Sequence, residues 1–205
     1  MKNLDRQGIL EHFEDKAAAY IANAERRAAE PFCLAHIPTR HPERMADAAW
    51  WLIQNRGRPK TAIDFGCGTG RMVKFFEVLM GVDKYVGVEQ VEATFRQAQS
   101  WYAAETFINL AIQDLNPDDL PFAAPADLGF THGVLMHVPP ENIADVCANI
   151  RRLSKIQMIV EMTRQTDPAT GWAPHVFKHN YHSLFGAPVY KEWLTPNKRI
   201  FIFEG

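Results

Sequence analysis

The chain has 205 residues, 47 % of them hydrophobic and 22 % charged, a balance that suits one globular domain with a full core and leaves too little chain for two. The formal net charge of -2 excludes a broad electrostatic attraction to nucleic acid. Cys33, Cys67 and Cys147 form neither a paired framework nor a zinc spacing. The start lacks the apolar stretch of a signal peptide. No segment nears the roughly 18 uncharged apolar residues of a membrane span. The expectation is a soluble, cytoplasmic protein with no membrane partner.

Ile9, Leu10, Phe13, Ala17, Tyr20, Ile21 and Ala24 recur at three- and four-residue steps and predict a helix over 4–30. Pro31 ends it, and 31–42 reads as a capping loop, with Cys33, His36 and His41 at spacings that match no standard metal frame. A second helix runs from Pro42 to Asn55, with Met45, Ala48, Ala49, Leu52 and Ile53 inward, and stops at Arg56-Gly57-Arg58-Pro59. Residues 1–44 are taken as an N-terminal helical cap and 45–205 as the core of a single domain.

A buried strand over 60–65 runs into Gly66-Cys67-Gly68-Thr69-Gly70-Arg71, followed by an amphipathic stretch that predicts a helix over 69–80, ended at Gly81. Bare backbone in such a turn lets a ligand lie directly on it, and a helix start offers N–H groups to an anion. Tyr85 to Glu89 is a second strand. It closes on a carboxylate, where a doubly wound sheet grips ribose hydroxyls. A helix over 91–104 and a strand over 106–112 follow, the latter ending in Gln113-Asp114-Leu115; 116–125 is a proline-rich loop. The fourth strand, 126–131, opens into His132-Gly133-Val134-Leu135-Met136-His137. Pro140 starts a helix with Ile143, Val146, Cys147, Ile150 and Leu153 as its buried stripe. A fifth strand spans 156–162, and 163–175 reads as irregular. A short helix over 176–186 would place His175, His179 and His182 on one face. A hairpin over 189–194 and 199–203 closes the chain.

Asp64 followed by G-x-G-x-G resembles the first motif of the class I S-adenosylmethionine (SAM)-dependent methyltransferases, whereas the dinucleotide fingerprint G-x-G-x-x-G is not met. The segment from Thr131 to His137 resembles their fourth motif, and the likeness covers roughly 45–205. It implies an α/β fold: a doubly wound, mostly parallel seven-stranded sheet with helices on both faces, an antiparallel last strand and a helical lid. SAM is the implied cofactor. Asp64, Gly66, Cys67, Gly68 and Gly70 would surround its amino-acid end, Glu89 its ribose, and Gln90 its adenine. Asp114 would take the adenine amino group and the Leu115 amide a ring nitrogen, although Asp114 before Asn116-Pro117 also reads as a plain turn residue. Thr131 would border the sulfonium.

Methyl transfer from a sulfonium needs in-line positioning and exclusion of water. An oxygen or nitrogen acceptor also invites a base, for which His132, His137 and His179 are the candidates. No metal is expected. The acceptor is expected to be a small molecule, methylated at oxygen and sugar-linked by a faint likeness around Tyr181 to Phe185 to enzymes of surface-polysaccharide pathways. A dinucleotide oxidoreductase, a methyltransferase of protein or nucleic acid, and a SAM-binding protein without turnover stand as alternatives.

Overall fold

A computed structural model of the chain describes residues 5–28, 41–163 and 175–205. The architecture grows from β1 (Thr61–Phe65), in which Ala62 through Phe65 are all buried. A strand covered on both faces has to read this way. It pairs in parallel with β2 (Lys84–Val88) on one side and β4 (Ala126–His132) on the other. β3 (Thr106–Ile108) lies outside β2, and β5 (Ser154–Met162) beyond β4. β6 (Tyr190–Trp193) turns through Thr195-Pro196-Asn197 into β7 (Lys198–Glu204), which inserts antiparallel between β5 and β6. The order 3-2-1-4-5-7-6 is the seven-stranded sheet expected from the sequence, antiparallel strand included. Strand order reverses between β1 and β4, and ligands of open α/β sheets bind outside the carboxyl ends at such a point.

The helices are α1 (Arg6–Ala28), α2 (Pro42–Arg56), α3 (Glu92–Trp101), α4 (Ile143–Leu153) and α5 (Tyr181–Phe185). Alternation along the strands sends their side chains into two cores. Ala62, Phe130, Met158, Ile200 and Ile202 pack with Met45, Ala48 and Leu52 of α2. Ile63, Phe65, Val86, Val88, Phe201 and Phe203 pack with Ile143, Val146, Ile150 and Leu153 of α4 and with Tyr181 and Phe185 of α5.

Several boundaries differ from those read off the sequence. The helix expected over 69–80 is delayed: Gly70 N–H bonds to the Cys67 carbonyl and Val73 N–H to that of Gly70, so the chain is still turning at Met72. From Phe75 to Met80 it then winds as a π-helix, capped by left-handed Gly81. The wider winding lets the consecutive residues Phe75 and Phe76 both enter the core, edge to face at 5.4 Å. β3 stops at Ile108, because the Asn109 side chain bonds to the Glu89 carbonyl at 2.7 Å and the chain lifts away into a 3₁₀ turn at Ile112–Asp114. The helix expected over 176–186 forms only from Tyr181, capped by Asn180, with 176–180 extended. His175, His179 and His182 therefore do not share a helix face. The loop with Cys33 and His36, and the expected irregular stretch over 164–174, lie outside the described residues.

Phe130 sits at the centre of the α2-side core, 5.3 Å from the Phe76 ring and 6.1 Å from that of Phe75. Phe130→Ala should cost about 3–5 kcal/mol of stability. Equilibrium urea unfolding would show it as a lowered midpoint without a change of slope.

Candidate active site

A cleft of about 550 Å³ opens over the carboxyl ends of β1, β2 and β4. Its floor is the turn after β1. There the Gly66 and Cys67 amides both donate to the Val88 carbonyl, at 2.7 and 3.0 Å, which folds the turn back over β2. Gly66 has φ +76°, and a Cβ on it would come within 2.6 Å of Val134. This position therefore admits glycine alone. Gly68 faces open space, with no atom within 4 Å of where its Cβ would stand. It leaves bare backbone on the cleft floor.

Three buried carboxylates stand at strand ends around this floor. Glu89, after β2, accepts the Gly68 amide and the Val91 amide, each at 2.8 Å, and so joins the glycine turn to the start of α3. Burial still pushes its pKa up. Glu161, in β5, accepts the amides of Val134 and Leu135 at 2.8 and 3.0 Å on one oxygen, and that of Met136 at 3.3 Å on the other. It shapes the segment after β4. Asp64, in β1, has a single side-chain hydrogen bond among the described residues, from the Tyr85 hydroxyl at 3.0 Å. Burial, with Glu89 nearby, pushes its carboxyl up to about 7. Of the three, Asp64 has the most acceptor capacity left over, and it lines the cleft.

The imidazoles occupy the wall beyond β4. His132 stacks near Phe130 and lines the cleft; its Nε2 is shielded from solvent and bonds to nothing among the described residues. Burial, reinforced by Lys198 and Arg71, holds it down to about 3. His137 also lines the cleft and is held down to about 4, chiefly by burial. Its Nδ1 lies 2.9 Å from the His175 carbonyl. A carbonyl only accepts, so Nδ1 carries the proton and Nε2 the lone pair. The 175–179 stretch runs along 136–138, tied by that bond, by Phe177 N–H to the Met136 carbonyl at 2.7 Å, and by His179 Nε2 to the Val138 carbonyl at 2.9 Å.

α1 forms part of the roof. Ile9 and Phe13 line the cleft, Phe13 meets the His137 ring edge-on at 4.8 Å, and His12 stacks on His175 at 4.0 Å. Arg6 pairs with Asp114 at 2.9 Å. Among the described residues no helix is long and apolar enough to cross a membrane, and no three His, Cys, Asp or Glu side chains gather as a metal-binding group.

A model of the methyltransferase domain matches residues 62–157, which span the glycine turn, Asp64, Glu89 and β4 and end before Glu161. The chain carries a methyltransferase domain over that stretch and has the seven-stranded fold of the class I SAM-dependent methyltransferases. Solved structures agree on the fold. The magnesium protoporphyrin IX methyltransferase of Synechocystis PCC 6803, solved with bound SAM, superposes with a TM-score of 0.65 at 14 % identity over 95 % of each chain. The 1,6-didemethyltoxoflavin-N1-methyltransferase of Burkholderia thailandensis does so at 0.61 and 17 % identity, covering 95 % of this chain and 88 % of that one. No curated protein matches the chain significantly.

In this methyltransferase the residues expected around the cofactor divide into two groups. Asp64, Gly66, Cys67, Gly68, Glu89 and Gln90 line the cleft, with His132 and His137. Gly70, Asp114, Leu115, Thr131 and His179 do not. A Cβ at Gly70 would strike the Tyr102 ring at 2.9 Å, so this glycine serves packing beneath the turn. The Asp114 side chain turns outward to Arg6, and Gln113 lines the cleft in its place. Leu115 is buried in the core, and its amide is already bonded to the Ile112 carbonyl. Thr131 is buried, off the cleft. His179 lies on a neighbouring cavity with Lys178 and Arg199. The sequence reading missed Arg71 and Lys198, which line the cleft, and Glu161, which shapes it. The one available signal was the basic residue directly after the third glycine.

Glu161→Ala would strip three buried amides of their acceptor and should cost at least about 2 kcal/mol. Glu161→Gln, which keeps an oxygen for Val134 and Leu135, should cost less. Urea unfolding of the two variants beside the parent checks the order.

Proposed function

We propose that the cleft holds SAM with its amino-acid end on the bare turn at Gly66–Gly68, its ammonium on Asp64 and its ribose on Glu89, and passes the methyl group to a small-molecule acceptor bound under α1. The observation that carries this reading is Asp64: a buried carboxylate, facing the cleft, with one hydroxyl against a full negative charge. An ammonium answers that deficit directly. The bare Gly68 backbone beside it admits the cofactor's main chain. Glu89, already fixed by two amides, presents its remaining lone pairs to hydroxyl donors. Val91, Leu110 and Ile112 supply an apolar slot for adenine, with Gln113 at its edge.

SAM supplies a methyl group already activated by the sulfonium. The protein's part is to hold the acceptor in line and keep water out, and Phe13, Val134, Met136 and Val138 make an apolar wall for that purpose. We place the transfer at oxygen. His132 and His137, held near 3 and 4, are neutral at pH 7 and weak as bases, so they orient an acceptor by hydrogen bonds rather than deprotonate it. Such a site suits an acceptor that arrives ionised. Tyr181 and Phe185, on which the sugar-linked reading rests, are buried side chains that do not line this cleft. A small-molecule acceptor accords with a cleft roofed by α1 and with the net charge of -2; the similar Burkholderia thailandensis structure carries bound 1,6-didemethyltoxoflavin, a small molecule. The cap and the sheet are read as one domain, and the unpaired buried thiols of Cys67 and Cys147 suit a reducing, cytoplasmic setting.

Glu89→Ala should weaken SAM binding by about 1–3 kcal/mol, a tenfold to hundredfold rise in Kd by calorimetry; an unchanged Kd would remove Glu89 from the ribose.

The pH dependence follows from Asp64. Its carboxyl, held up to about 7, must ionise to receive an ammonium, so SAM affinity should rise from pH 5.5 to 7.5 and then level, while Asp64→Asn binds weakly and flatly across that range. The same raised value means that the cofactor-free protein loses stability as pH rises from its unfolded value toward 7. Asp64→Asn should then melt higher than the parent at pH 8 in the absence of SAM. A parent affinity that is flat with pH would sink the assignment.

A further inference from the structure

We propose that the acceptor is a carboxylic acid: a small, mainly apolar molecule whose carboxylate is held by Lys198 Nζ beside His132. This rests on the placement of SAM just given and names the substrate class for the same cleft.

Lys198 opens β7, opposite Met162 of β5. From that edge its side chain reaches back over the end of β4, and its Nζ stands 3.4 Å from where a Cβ on Gly133 would be. The ammonium therefore lies on the cleft wall where the methyl group is to be delivered. Among the described residues it makes no ion pair and no hydrogen bond. The acid whose charge reaches it is Glu161, but both Glu161 oxygens are engaged by the amides of Val134, Leu135 and Met136. Asp64 and Glu89 stand at the ends of β1 and β2 and belong to the cofactor side.

Charge balance then points to an anion. The cofactor brings a sulfonium into a cleft that already holds Arg71 and Lys198. Its own carboxylate offsets one positive charge, its ammonium is met by Asp64, and Glu89 offsets a further one, which leaves one positive charge in the cleft uncompensated. One cation, Lys198, remains on the acceptor side beside the sulfonium, in an enclosed site where like charges repel strongly. An acceptor bearing a carboxylate removes that repulsion and draws the nucleophilic molecule to the reacting end. A second polar atom faces the same place: His132 Nε2, shielded from solvent and without a hydrogen-bond partner. It can donate to one carboxylate oxygen while Lys198 holds the other. The rest of the wall, formed by Phe13, Val134, Met136 and Val138, fits an aromatic or alicyclic body.

The test uses the full chain loaded with S-adenosylhomocysteine, titrated calorimetrically with benzoate and benzamide, and with cyclohexanecarboxylate and its amide. At least one acid is expected to bind tenfold or more tightly than its amide. Lys198→Met should reduce that preference to within twofold while affinity for S-adenosylhomocysteine and the melting temperature stay near the parent's. Lys198→Arg should keep the preference, and it stands in if the methionine variant does not fold. A parent protein with no preference for either acid overturns the proposal, as does a preference that survives Lys198→Met, or a loss of S-adenosylhomocysteine binding in that variant or in Lys198→Arg. Failure of the parent to bind S-adenosylhomocysteine sinks the cofactor placement itself, whereas binding without acid preference sinks only the acceptor class.

Discussion

The carboxylate of Glu89 holds two loops at once. By taking the amides of Gly68 and Val91 it fixes the glycine turn against the start of α3, so the floor of the cleft and its β2 side are joined. The same device recurs across the switch point, where Glu161 gathers three amides of the segment after β4. Each charge is buried and each is met by backbone N–H groups, the arrangement that makes an interior carboxylate tolerable. Asp64 lacks it. Of the three, the one left short of donors is the one at the centre of the sheet.

This asymmetry separates structure from function within one chemical type. Glu161 spends its acceptors on the fold. Glu89 divides them between fold and ligand. Asp64, with one hydrogen bond from Tyr85 among the described residues, is the carboxylate we propose for the cofactor's ammonium. The stability that the sheet and its two aromatic cores provide is what lets the chain keep such a group in place.

Much of this was legible in the sequence. The run from Ala62 to Gly70 announced a strand, a bend and a ligand site, because close backbone approach demands glycine and burial on two faces demands a continuous apolar strand. Glu89 was legible from its place at the end of β2, and the closing hairpin from its alternation around Thr195-Pro196-Asn197. What failed was whatever depended on partners distant in the chain. The direction of the Asp114 side chain is set by Arg6 of α1, which no local pattern reveals. Glu161 reads as one polar residue in an apolar strand until the segment after β4 is laid beside it. Lys198 reaches the cleft only because β7 inserts next to β5, a fact of spatial order. The three late histidines misled because a helical spacing was applied to a stretch whose cap, Asn180, comes after two of them.

The roof has a consequence for traffic. Ile9 and Phe13 are both wall and lid, so no molecule leaves on that side unless α1 shifts. Its polar fastening there is Arg6 to Asp114, more than half exposed on both partners, and surface pairs of that kind hold weakly, at roughly 0–1 kcal/mol. The apolar and ring contacts further along α1 hold the rest. The first turn of α1 is therefore the lightly held edge of the roof, and its release would widen the cleft without disturbing the sheet below.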